Sequence, residues 1–255
     1  MRIYVCIKQV PNVSDIKIDV KNGCLIRSNC DNIINPSDKN ALEFALKIKD
    51  KHKDVEVYVI TMGPMQAMDA IYEAIAMGVD KGVLLSDRCF AGADTYITSN
   101  NISRAIYYLG MPDLVLVGKQ AQDGETAQVG PQLAEKLKID FESSVNNIIY
   151  NSKKVLINKI DDESSKDIEI SLPCLLTVCK NSNNPRNLNA YNIANLDESK
   201  IIILTHNDLN LNEKECGLDA SLTKVVDTYL LNKTSNCNFI TEDASQKFID
   251  IIRKI

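Results

Sequence analysis

The sequence predicts an α/β fold with a mostly parallel sheet, helices on both faces of that sheet, a β-hairpin region and an extended C-terminal arm. Three observations support this prediction. Short runs rich in β-branched residues alternate with stretches of helical period, which is the rhythm of βαβ units. These runs are apolar almost throughout, as strands are when both faces of their sheet are covered. After about residue 141 the alternation gives way to strands joined by short turns.

The first half of the chain contains four predicted strands and three predicted helices. The first helix begins where Asn35 can cap it and Pro36 can take the first helical position. The third helix spans Thr95–Leu109 and ends at Gly110, because glycine readily follows a helix in a left-handed conformation. The apolar stripes of the first two helices are Ala41, Leu42, Ala45, Leu46 and Ile48, and then Met68, Ile71, Ala74 and Ile75. The strands are Ile3–Val10, Val55–Ile60, Gly82–Ser86 and Leu114–Val117.

The second half begins with two strands that are expected to form a hairpin around the turn Asn151-Ser152-Lys153. Pro173 marks the following strand as edge-like or kinked, because proline cannot donate to a sheet ladder. A polar linker and a short amphipathic helix with Phe248, Ile251 and Ile252 come last. The predicted segments are the hairpin strands Ser143–Tyr150 and Lys154–Lys159, the solvated loop Asp161–Asp167, the strand Ile170–Lys180, the extended surface loop Asn181–Ser199, and the linker with its helix, Leu230–Ile255.

Composition limits the class of protein. The 255 residues suffice for one large α/β domain with an appendage, and their net charge is −5 at pH 7. Such a chain has no global positive field, so neither nucleic acid nor an anionic membrane surface is expected as a partner. The apolar runs are shorter than the roughly 18 residues of a membrane span, and the first residues enter a strand rather than a secretory signal. A cytoplasmic protein without membrane insertion is therefore expected.

The eight cysteines and two histidines do not have the spacing of a metal site. No C-x-x-C pair occurs, so neither a zinc site nor a disulfide framework is predicted. Cys6 and Cys174 lie in apolar runs and are expected to be small core residues. Cys6 has no histidine or second cysteine nearby in the sequence that would make it a nucleophile. Because His52 and His206 are also far apart, no catalysis by side chains is predicted.

The most informative segment is VGKQAQDGETAQVGPQLAEKL, residues 117–137, in which an apolar strand enters a polar loop that opens a helix. Gly118 and Gly124 permit a close backbone approach. The backbone N–H groups of residues 127–129 lie at the helix start, where the helix dipole also favours an anion. A phosphate fits there. A turn that the glycines permit, followed by an ordinary capped helix without a ligand, fits the spacing equally well. Asp123 and Glu125 would repel a phosphate, so they are expected to face ribose or adenine donors, or solvent.

This loop is not one of the two common phosphate motifs, because it matches neither the Walker loop nor G-x-G-x-x-G. Two other segments are expected at the same edge of the sheet: Asn35–Asp38, which enters the first helix, and Thr61–Pro64, where the second strand ends. Ligands of open parallel sheets bind outside the carboxyl ends of the strands. A helix cap and a turn are the simpler explanations of these two segments.

Together these segments resemble the β subunit of electron-transfer flavoproteins. The similarity includes IYVCIKQVP, INPSDKNALEFAL, VITMGP, AIAMGVDKGVLL, DLVLVGKQAQDGETAQVGPQLAEKL, LPCLLTVCKNSNNPR and NDLNLNEKECGLDASLTKVV. It implies a fold related to the adenine-nucleotide α-hydrolase group. It also implies a nucleotide-binding α/β domain over residues 1–230, with a partner-recognition loop at about 184–200, and an arm over residues 231–255 that docks on an α subunit.

The resemblance also implies which residues contact the nucleotide. Ala127, Gln128 and Val129 would contact phosphate, and Asp94 with Thr95 would accompany the larger ligand of one branch of the family. The complete implied set is Cys6, Asn35, Pro36, Ser37, Asp38, Val59, Ile60, Thr61, Met62, Asp94, Thr95, Gly118, Lys119, Gln120, Asp123, Gly124, Glu125, Thr126, Ala127, Gln128 and Val129.

The two branches of the family differ in this nucleotide. One branch holds a structural AMP, and the electron-bifurcating branch holds a second FAD that takes electrons from NADH. The segments LLSDRCFAGADTYITSNNISRAI and QDGETAQVGP resemble the bifurcating branch, so FAD is expected, with AMP as the alternative. Such a complex sends one electron to ferredoxin or flavodoxin and one through the α-subunit FAD to an acyl-CoA dehydrogenase. The chain would be an electron-transfer subunit of an oxidoreductase complex in which the flavin does the chemistry.

Two segments depart from the family's pattern. The recognition loop after Asn184-Pro185-Arg186 reads NLNAYNIANLDESK, with Asp197 and Glu198 where a basic run is usual, and this indicates a dedicated dehydrogenase partner. The tail TSNCNFITEDASQKFIDIIRKI lacks the usual basic, glycine-rich entry to the arm. Outside the family, a universal-stress-type nucleotide sensor shares the sheet and its edge loops, but such proteins usually have a G-x-x-G phosphate loop and no long arm.

Overall fold

A computed structural model describes residues 1–12, 17–19, 24–26, 32–160, 164–226 and 243–253 of the chain. The chain divides into two compact units, Met1–Lys224 and Val225–Ile255. A nine-stranded sheet forms the centre of the first unit, and helices cover it. The predicted α/β class is therefore confirmed. None of the helices in the described ranges is long and apolar enough to cross a membrane.

From β1 to β8 the main-sheet strands alternate with helices as the βαβ rhythm predicts, while the short strands β2 to β5 before α1 are additional. The strands are β1 Arg2–Cys6, β2 Gln9–Pro11, β3 Lys17–Asp19, β4 Cys24–Ile26, β5 Asn32–Ile34, β6 Glu56–Met62, β7 Lys81–Leu85, β8 Leu114–Gly118, β9 Asp140–Asn151, β10 Lys154–Ile160, β11 Ser165–Ser171, β12 Cys174–Val178 and β13 Ile201–Leu204. The helices are α1 Pro36–Lys51, α2 Met68–Met77, α3 Thr95–Leu109, α4 Val129–Leu137, α5 Ala190–Ala194 and α6 Ala244–Ile252.

The main sheet has the order β11-β10-β9-β12-β8-β1-β6-β7-β13. Its neighbours are parallel from β9 to β13, and the β9–β10 and β10–β11 pairs are antiparallel. Two short ribbons, β2 with β5 and β3 with β4, lie outside it. The parallel part requires crossover connections, and these place helices against both faces.

Side chains alternate between the two faces along each central strand. Ile3 and Val5 pack in the core beneath α1 and α2, whereas Tyr4 and Cys6 pack in the core beneath α3 and α4. Because both faces are covered, the central strands are apolar almost throughout, as the sequence predicted. The predicted third helix and its end are also confirmed, since α3 spans Thr95–Leu109 and Gly110 follows with φ of 103°.

Three of the predicted segments in the second half need correction. The hairpin of β9 and β10 is confirmed. However, residues 165–167 of the predicted acidic loop belong to β11, which pairs with β10, while residues 161–163 lie outside the described ranges. The predicted strand Ile170–Lys180 is two strands that separate at Leu172-Pro173. Pro173 is therefore not on an edge strand; β12 follows it and lies inside the sheet, between β9 and β8.

Three further differences concern the end of β1, an additional strand and the predicted surface loop. The predicted strand Ile3–Val10 ends at Cys6, and residues 9–11 turn away to pair with β5. Strand β13 was not predicted, and it extends the sheet beside β7. The predicted surface loop Asn181–Ser199 contains the short helix α5. The predicted last helix is confirmed as α6, whereas residues 227–242 of its linker lie outside the described ranges.

Candidate functional site

The fold places one crevice at the carboxyl ends of β1 and β8. From β1 the chain moves outward through β6 and β7, and it then returns to add β8 on the opposite side of β1. Loops that follow these two strands must therefore leave in opposite directions. This is a topological switch point, the position at which open α/β sheets bind their ligands.

Asp38 joins the two strands at this crevice. Its Oδ2 accepts a hydrogen bond of 2.8 Å from the backbone N–H of Lys8, which follows β1. Its Oδ1 accepts one of 3.1 Å from the backbone N–H of Gly118, the last residue of β8. The side chain is buried, and burial raises the pKa of the Asp38 carboxyl to about 7 although both hydrogen bonds act in the opposite direction. Asp38 therefore links the ends of β1 and β8, and its charge changes near neutral pH.

Asn35 and Ser37 fasten the loop that follows β8. The carbonyl oxygen of Gln120 accepts hydrogen bonds from Asn35 Nδ2 at 3.0 Å and from Ser37 Oγ at 2.8 Å. Asn35 Oδ1 accepts a bond of 3.1 Å from the N–H of Gln122. Asn35 therefore does not cap α1 with its side chain, although it stands at the cap position before Pro36. The expectation of a simple helix cap is wrong, because the loop after β8 satisfies this amide instead.

The two glycines of the loop have different roles. A Cβ on Gly118 would lie 2.1 Å from Asp38 Oδ1 and 2.7 Å from the backbone nitrogen of Asp38, so no side chain fits there. The close approach is made by the start of α1. At Gly124 a Cβ would meet no atom of the described chain within 4 Å. The expected close approach is therefore present at Gly118, and within the described ranges no protein atom requires it at Gly124.

The loop ends in a helix start with free backbone donors. Glu125 and Ala127 have left-handed backbones, with φ of 49° and 54°, which turn the chain sharply before α4. No side chain in the described part of the chain caps α4, so the N–H groups of residues 128–130 point out of the helix end. Asp123 pairs with Lys8 at 2.6 Å. Both side chains are partly exposed to solvent, 50% for Lys8 and 37% for Asp123, so this pairing is compatible with the expectation that Asp123 faces ligand donors or solvent.

Thr95 links the start of α3 to the start of α4. Its Oγ1 donates to Gln128 Oε1 at 2.8 Å and accepts from Gln132 Nε2 at 3.4 Å. Asp94 caps α3 by accepting from the N–H of Ile97 at 3.0 Å, and it also accepts from Thr223. Burial alone would raise the pKa of Asp94, but these hydrogen bonds outweigh it and hold the pKa below its ordinary value. The two residues named for the larger ligand thus border the predicted phosphate site.

The ends of β1 and β6 supply mostly buried side chains. Val59, Ile60 and Cys6 lie in the two cores, so these side chains have no open path to a ligand. Burial raises the pKa of the Cys6 thiol to about 12, in keeping with its predicted core role. Thr61 differs, because its Oγ1 is buried and forms no hydrogen bond within the described ranges. Met62 is partly buried beside Asn101, 3.6 Å from its amide nitrogen.

The remaining predicted residues line the opening. A cavity of about 220 Å³ lies between the start of α1 and the loop. Thr126 is exposed on the outside of the loop. Gln122, inside the predicted loop, also lies at this edge. Two residues that the sequence did not suggest belong to it as well, Lys8 and Gln132. Their positions directly after β1 and one turn into α4 could have indicated them. The cavity is lined by Asn35, Pro36, Ser37, Lys119, Gln120, Gln122, Glu125 and Lys180.

Comparison with known proteins gives consistent matches. Residues 23–201 match the family described as the electron transfer flavoprotein domain. The chain is 46% identical to the caffeyl-CoA reductase-Etf complex subunit CarD of Acetobacterium woodii, over 88% of this chain and 86% of that protein. It is 41% identical to the electron transfer flavoprotein subunit beta of Thermoanaerobacterium thermosaccharolyticum, over 100% and 98% of the two chains. It is 46% identical to the acryloyl-CoA reductase electron transfer subunit gamma of Anaerotignum propionicum, over 69% and 67%.

Proposed function

The chain belongs to the electron transfer flavoprotein family and corresponds to its β subunit, and on this premise we propose that it binds FAD at the carboxyl edge of β1, β6 and β8. The complex of this chain with its α subunit would take electrons from NADH. It would deliver one to ferredoxin or flavodoxin and one, through the α-subunit FAD, to an acyl-CoA dehydrogenase. We further propose that it works in the cytoplasm.

The proposal of a bifurcating complex rests on one observation in particular, the likeness to CarD. That relative is named as an Etf subunit within a reductase of a CoA thioester, and the acryloyl-CoA reductase subunit is a second relative of this kind. The universal-stress-type sensor, the alternative outside the family, finds no support in these comparisons.

The residues at the edge fit an adenine nucleotide. Free N–H donors at the start of α4 suit a phosphate, and Thr61 Oγ1 is a buried polar atom that a ligand hydroxyl or ring nitrogen could satisfy. When bound, the isoalloxazine ring supplies the redox chemistry. The residues of this chain would bind and orient the nucleotide. Asn35 and Ser37 fix the loop, and Thr95 fixes Gln128 beside the start of α4.

The cavity at this edge indicates that a second chain completes the site. Its volume of about 220 Å³ is below the roughly 300 Å³ at which small-molecule pockets begin. The start of α4 does not line this cavity, so a dinucleotide that contacts both would extend beyond it and would need cover from the α subunit. Helix α6 offers an apolar surface for such a partner, because Phe248, Ile251 and Ile252 are each about half exposed or more. We propose that this helix docks on the α subunit.

The same volume favours a second candidate function. A structural AMP is smaller than FAD and needs less cover, so a β subunit with bound AMP and no bifurcation is the alternative. In that case all redox chemistry belongs to the α subunit. The two candidates share the contacts at the start of α4 and differ in what lies beyond them.

The loop at residues 184–200 is proposed to recognise the dehydrogenase. Leu188, Tyr191 and Ile193 are exposed there, with Tyr191 74% exposed. Its base is fixed to α1, since Arg186 pairs with Glu43 at 2.9 Å and with Asp50 at 2.7 Å. A variant in which residues 195–200 are replaced by a basic segment should lose electron transfer to its own dehydrogenase. Unchanged transfer would contradict a dedicated partner.

The proposed function is tested by an anaerobic assay of the purified heterodimer. NADH, ferredoxin, the dehydrogenase and an enoyl-CoA are mixed, and ferredoxin reduction is followed by its absorbance. We expect ferredoxin reduction with NADH only when the enoyl-CoA is also present. Reduction of the enoyl-CoA without any coupled ferredoxin reduction would favour the AMP alternative. The control omits the heterodimer.

A further inference from the structure

A second group of chemically reactive side chains lies at the carboxyl ends of β7 and β13. The two strands are neighbours, and the N–H of Ser86 still donates to Leu204 O at 3.0 Å beyond the end of β7. The loop after β7 contains Asp87 and Cys89. The segment after β13 contains His206 and Cys216. Residues more than 100 positions apart in the sequence thus meet at one edge.

Three donor atoms converge there, and the Cys216 sulfur lies beside one of them. Asp87 Oδ2 lies 2.6 Å from His206 Nδ1, and the sulfurs of Cys89 and Cys216 lie 2.9 Å apart. One donor atom from each of Asp87, Cys89 and His206 lies within 4.8 Å of the other two. Cys216 is fully buried, and the side chains of His206 and Asp87 are only 13% and 19% exposed. The cluster is therefore largely shielded from solvent.

The backbone holds the cluster together. A Cβ on Gly217 would lie 1.9 Å from the carbonyl oxygen of Cys89, so the two segments touch where a larger residue would separate them. Asp87 accepts from the N–H of Cys89 at 3.3 Å and from the N–H of His206 at 3.4 Å. These contacts fix one carboxylate between the loop and the segment, with the Cys89 sulfur near it.

We propose that Asp87, Cys89, His206 and Cys216 form a tetrahedral binding site for a thiophilic divalent metal ion, for which Zn²⁺ is the best fit. Two thiolates, an imidazole and a carboxylate are all established zinc ligands, and structural zinc sites contain four protein ligands. The sulfurs also discriminate against Mg²⁺ and Ca²⁺, which prefer oxygen.

The donors must move to bind this ion. The 2.6 Å between Asp87 Oδ2 and His206 Nδ1 is a hydrogen-bond distance, whereas the two sulfurs at 2.9 Å lie closer than van der Waals contact. An ion with bonds of about 2.0–2.3 Å sets its ligands roughly 3–4 Å apart, so both pairs separate by about 1 Å, and the Cys216 side chain turns toward the other donors. On binding, each thiol releases its proton to solvent as a sulfur–zinc bond forms, and no atom is oxidised or reduced.

A disulfide between Cys89 and Cys216 is the competing chemistry. The sulfurs are 2.9 Å apart, whereas a disulfide has a sulfur–sulfur bond of about 2.03–2.05 Å. It would also require an oxidant to remove two electrons and two protons. A disulfide gives no role to His206 and Asp87, whose donor atoms lie near the Cys89 sulfur. These three convergent donors, with Cys216 beside Cys89, favour the metal ion.

The metal would have a structural effect on the nucleotide edge. Residues 217–223 follow the cluster and contact the cap of α3: Ser221 Oγ accepts from the N–H of Asp94 at 2.9 Å, and Thr223 donates to the carboxylate of Asp94. Asp94 precedes Thr95, which contacts Gln128. A metal that fixes the segment after β13 would therefore also fix this cap.

The site is tested on the complete chain, purified with its α subunit under anaerobic and reducing conditions. The complex is dialysed against a chelator and then titrated with Co²⁺ alone and with Zn²⁺ alone. We expect one ion per heterodimer. The Co²⁺ form should show tetrahedral bands at wavelengths beyond the flavin absorption, and Zn²⁺ should displace them.

Variants separate this site from adventitious binding. Cys216→Ser should weaken binding at least about 100-fold, and Asp87→Asn should weaken it about 10–100-fold. Cys179→Ser, a partly exposed cysteine outside the cluster, should bind as the wild type does. Far-ultraviolet circular dichroism checks that each variant is folded.

Three results would overturn the proposal. The first is the absence of stoichiometric Co²⁺ or Zn²⁺ in the reduced wild type. The second is equal affinity in Cys216→Ser and the wild type. The third is a Cys89–Cys216 disulfide in the anaerobically isolated protein. Mass spectrometry would detect it as a linked pair of peptides two hydrogens lighter than the two free peptides together.

Discussion

Asp38→Asn should change how the stability of this chain depends on pH. The Asp38 carboxyl has an ordinary pKa of 3.8 in the unfolded chain and a pKa of about 7 in the folded chain, because burial disfavours its charge. The folded chain therefore binds the proton more tightly. In the wild type, this group makes the free energy of unfolding fall as pH rises from about 4 to about 7. Asparagine does not titrate and removes that dependence.

The magnitude follows from the same pKa values. At about 1.4 kcal/mol per pH unit, the change from 3.8 to about 7 corresponds to roughly 4 kcal/mol. The free energy of unfolding of the variant, minus that of the wild type, should therefore increase by roughly 4 kcal/mol between pH 4 and pH 8. At every pH the variant should also lose about 1–3 kcal/mol of unfolding free energy, because asparagine has one acceptor oxygen for the two N–H groups of Lys8 and Gly118.

The assay is urea unfolding of both chains from about pH 4.5 to about pH 8, followed by circular dichroism. Contributions of the other titrating groups cancel in the difference, except those next to Asp38, namely Lys8 with its partner Asp123 and the thiol of Cys6. Asp69→Asn, at an exposed carboxyl in the first turn of α2, is the control and should not reproduce the pH-dependent difference. A difference between Asp38→Asn and wild type that stays constant across this pH range would refute the reasoning.

Two more pairs of substitutions test the packing of the site and of the loop that follows it. Gly118→Ala should lower the free energy of unfolding by about 1–3 kcal/mol or more, because its Cβ would meet Asp38. Gly124→Ala should change the free energy of unfolding by no more than about 0.5 kcal/mol. Thermal unfolding compares the two variants, and equal losses would contradict the packing at Gly118. Arg186→Ala should cost roughly 2–4 kcal/mol, because Glu43, with a side chain only 4% exposed, loses its cation. Asp50→Ala should lower the free energy of unfolding by about 0–1 kcal/mol, since that carboxylate is 57% exposed. Urea unfolding measures both variants, and a larger loss for Asp50→Ala than for Arg186→Ala would contradict the burial of Glu43.

The central fold was predictable because its strands are apolar almost throughout and its helices are amphipathic. Both patterns come from burial on two faces, which local sequence records directly. Strand β13 was not predicted, because four residues are too few to show a period and its pairing with β7 depends on contacts distant in sequence. For Pro173 the edge-like alternative was wrong, whereas the kinked one fits the break between β11 and β12. Proline excludes a central strand position, but the chain avoids the conflict by ending β11 before it and starting β12 after it.

The site was predictable as a set of segments and not as a set of contacts. Parallel strands bring their carboxyl ends to one edge, so the loop after β8 and residues 35–38 had to meet. The partner of the Asn35 amide could not be predicted, because a cap and a long-range bond to Gln120 use the same residue type. The group around Cys89 and Cys216 was missed since spacing rules apply to ligands close in sequence, and these two are 127 residues apart.

The most direct measurement of the central claim is the nucleotide content of the purified heterodimer. Denaturation releases the bound nucleotides, and chromatography counts FAD and AMP per complex. The proposed bifurcating subunit predicts two FAD and no AMP, with one FAD belonging to this chain. One FAD and one AMP would contradict it and would identify the edge of β1, β6 and β8 as a structural AMP site.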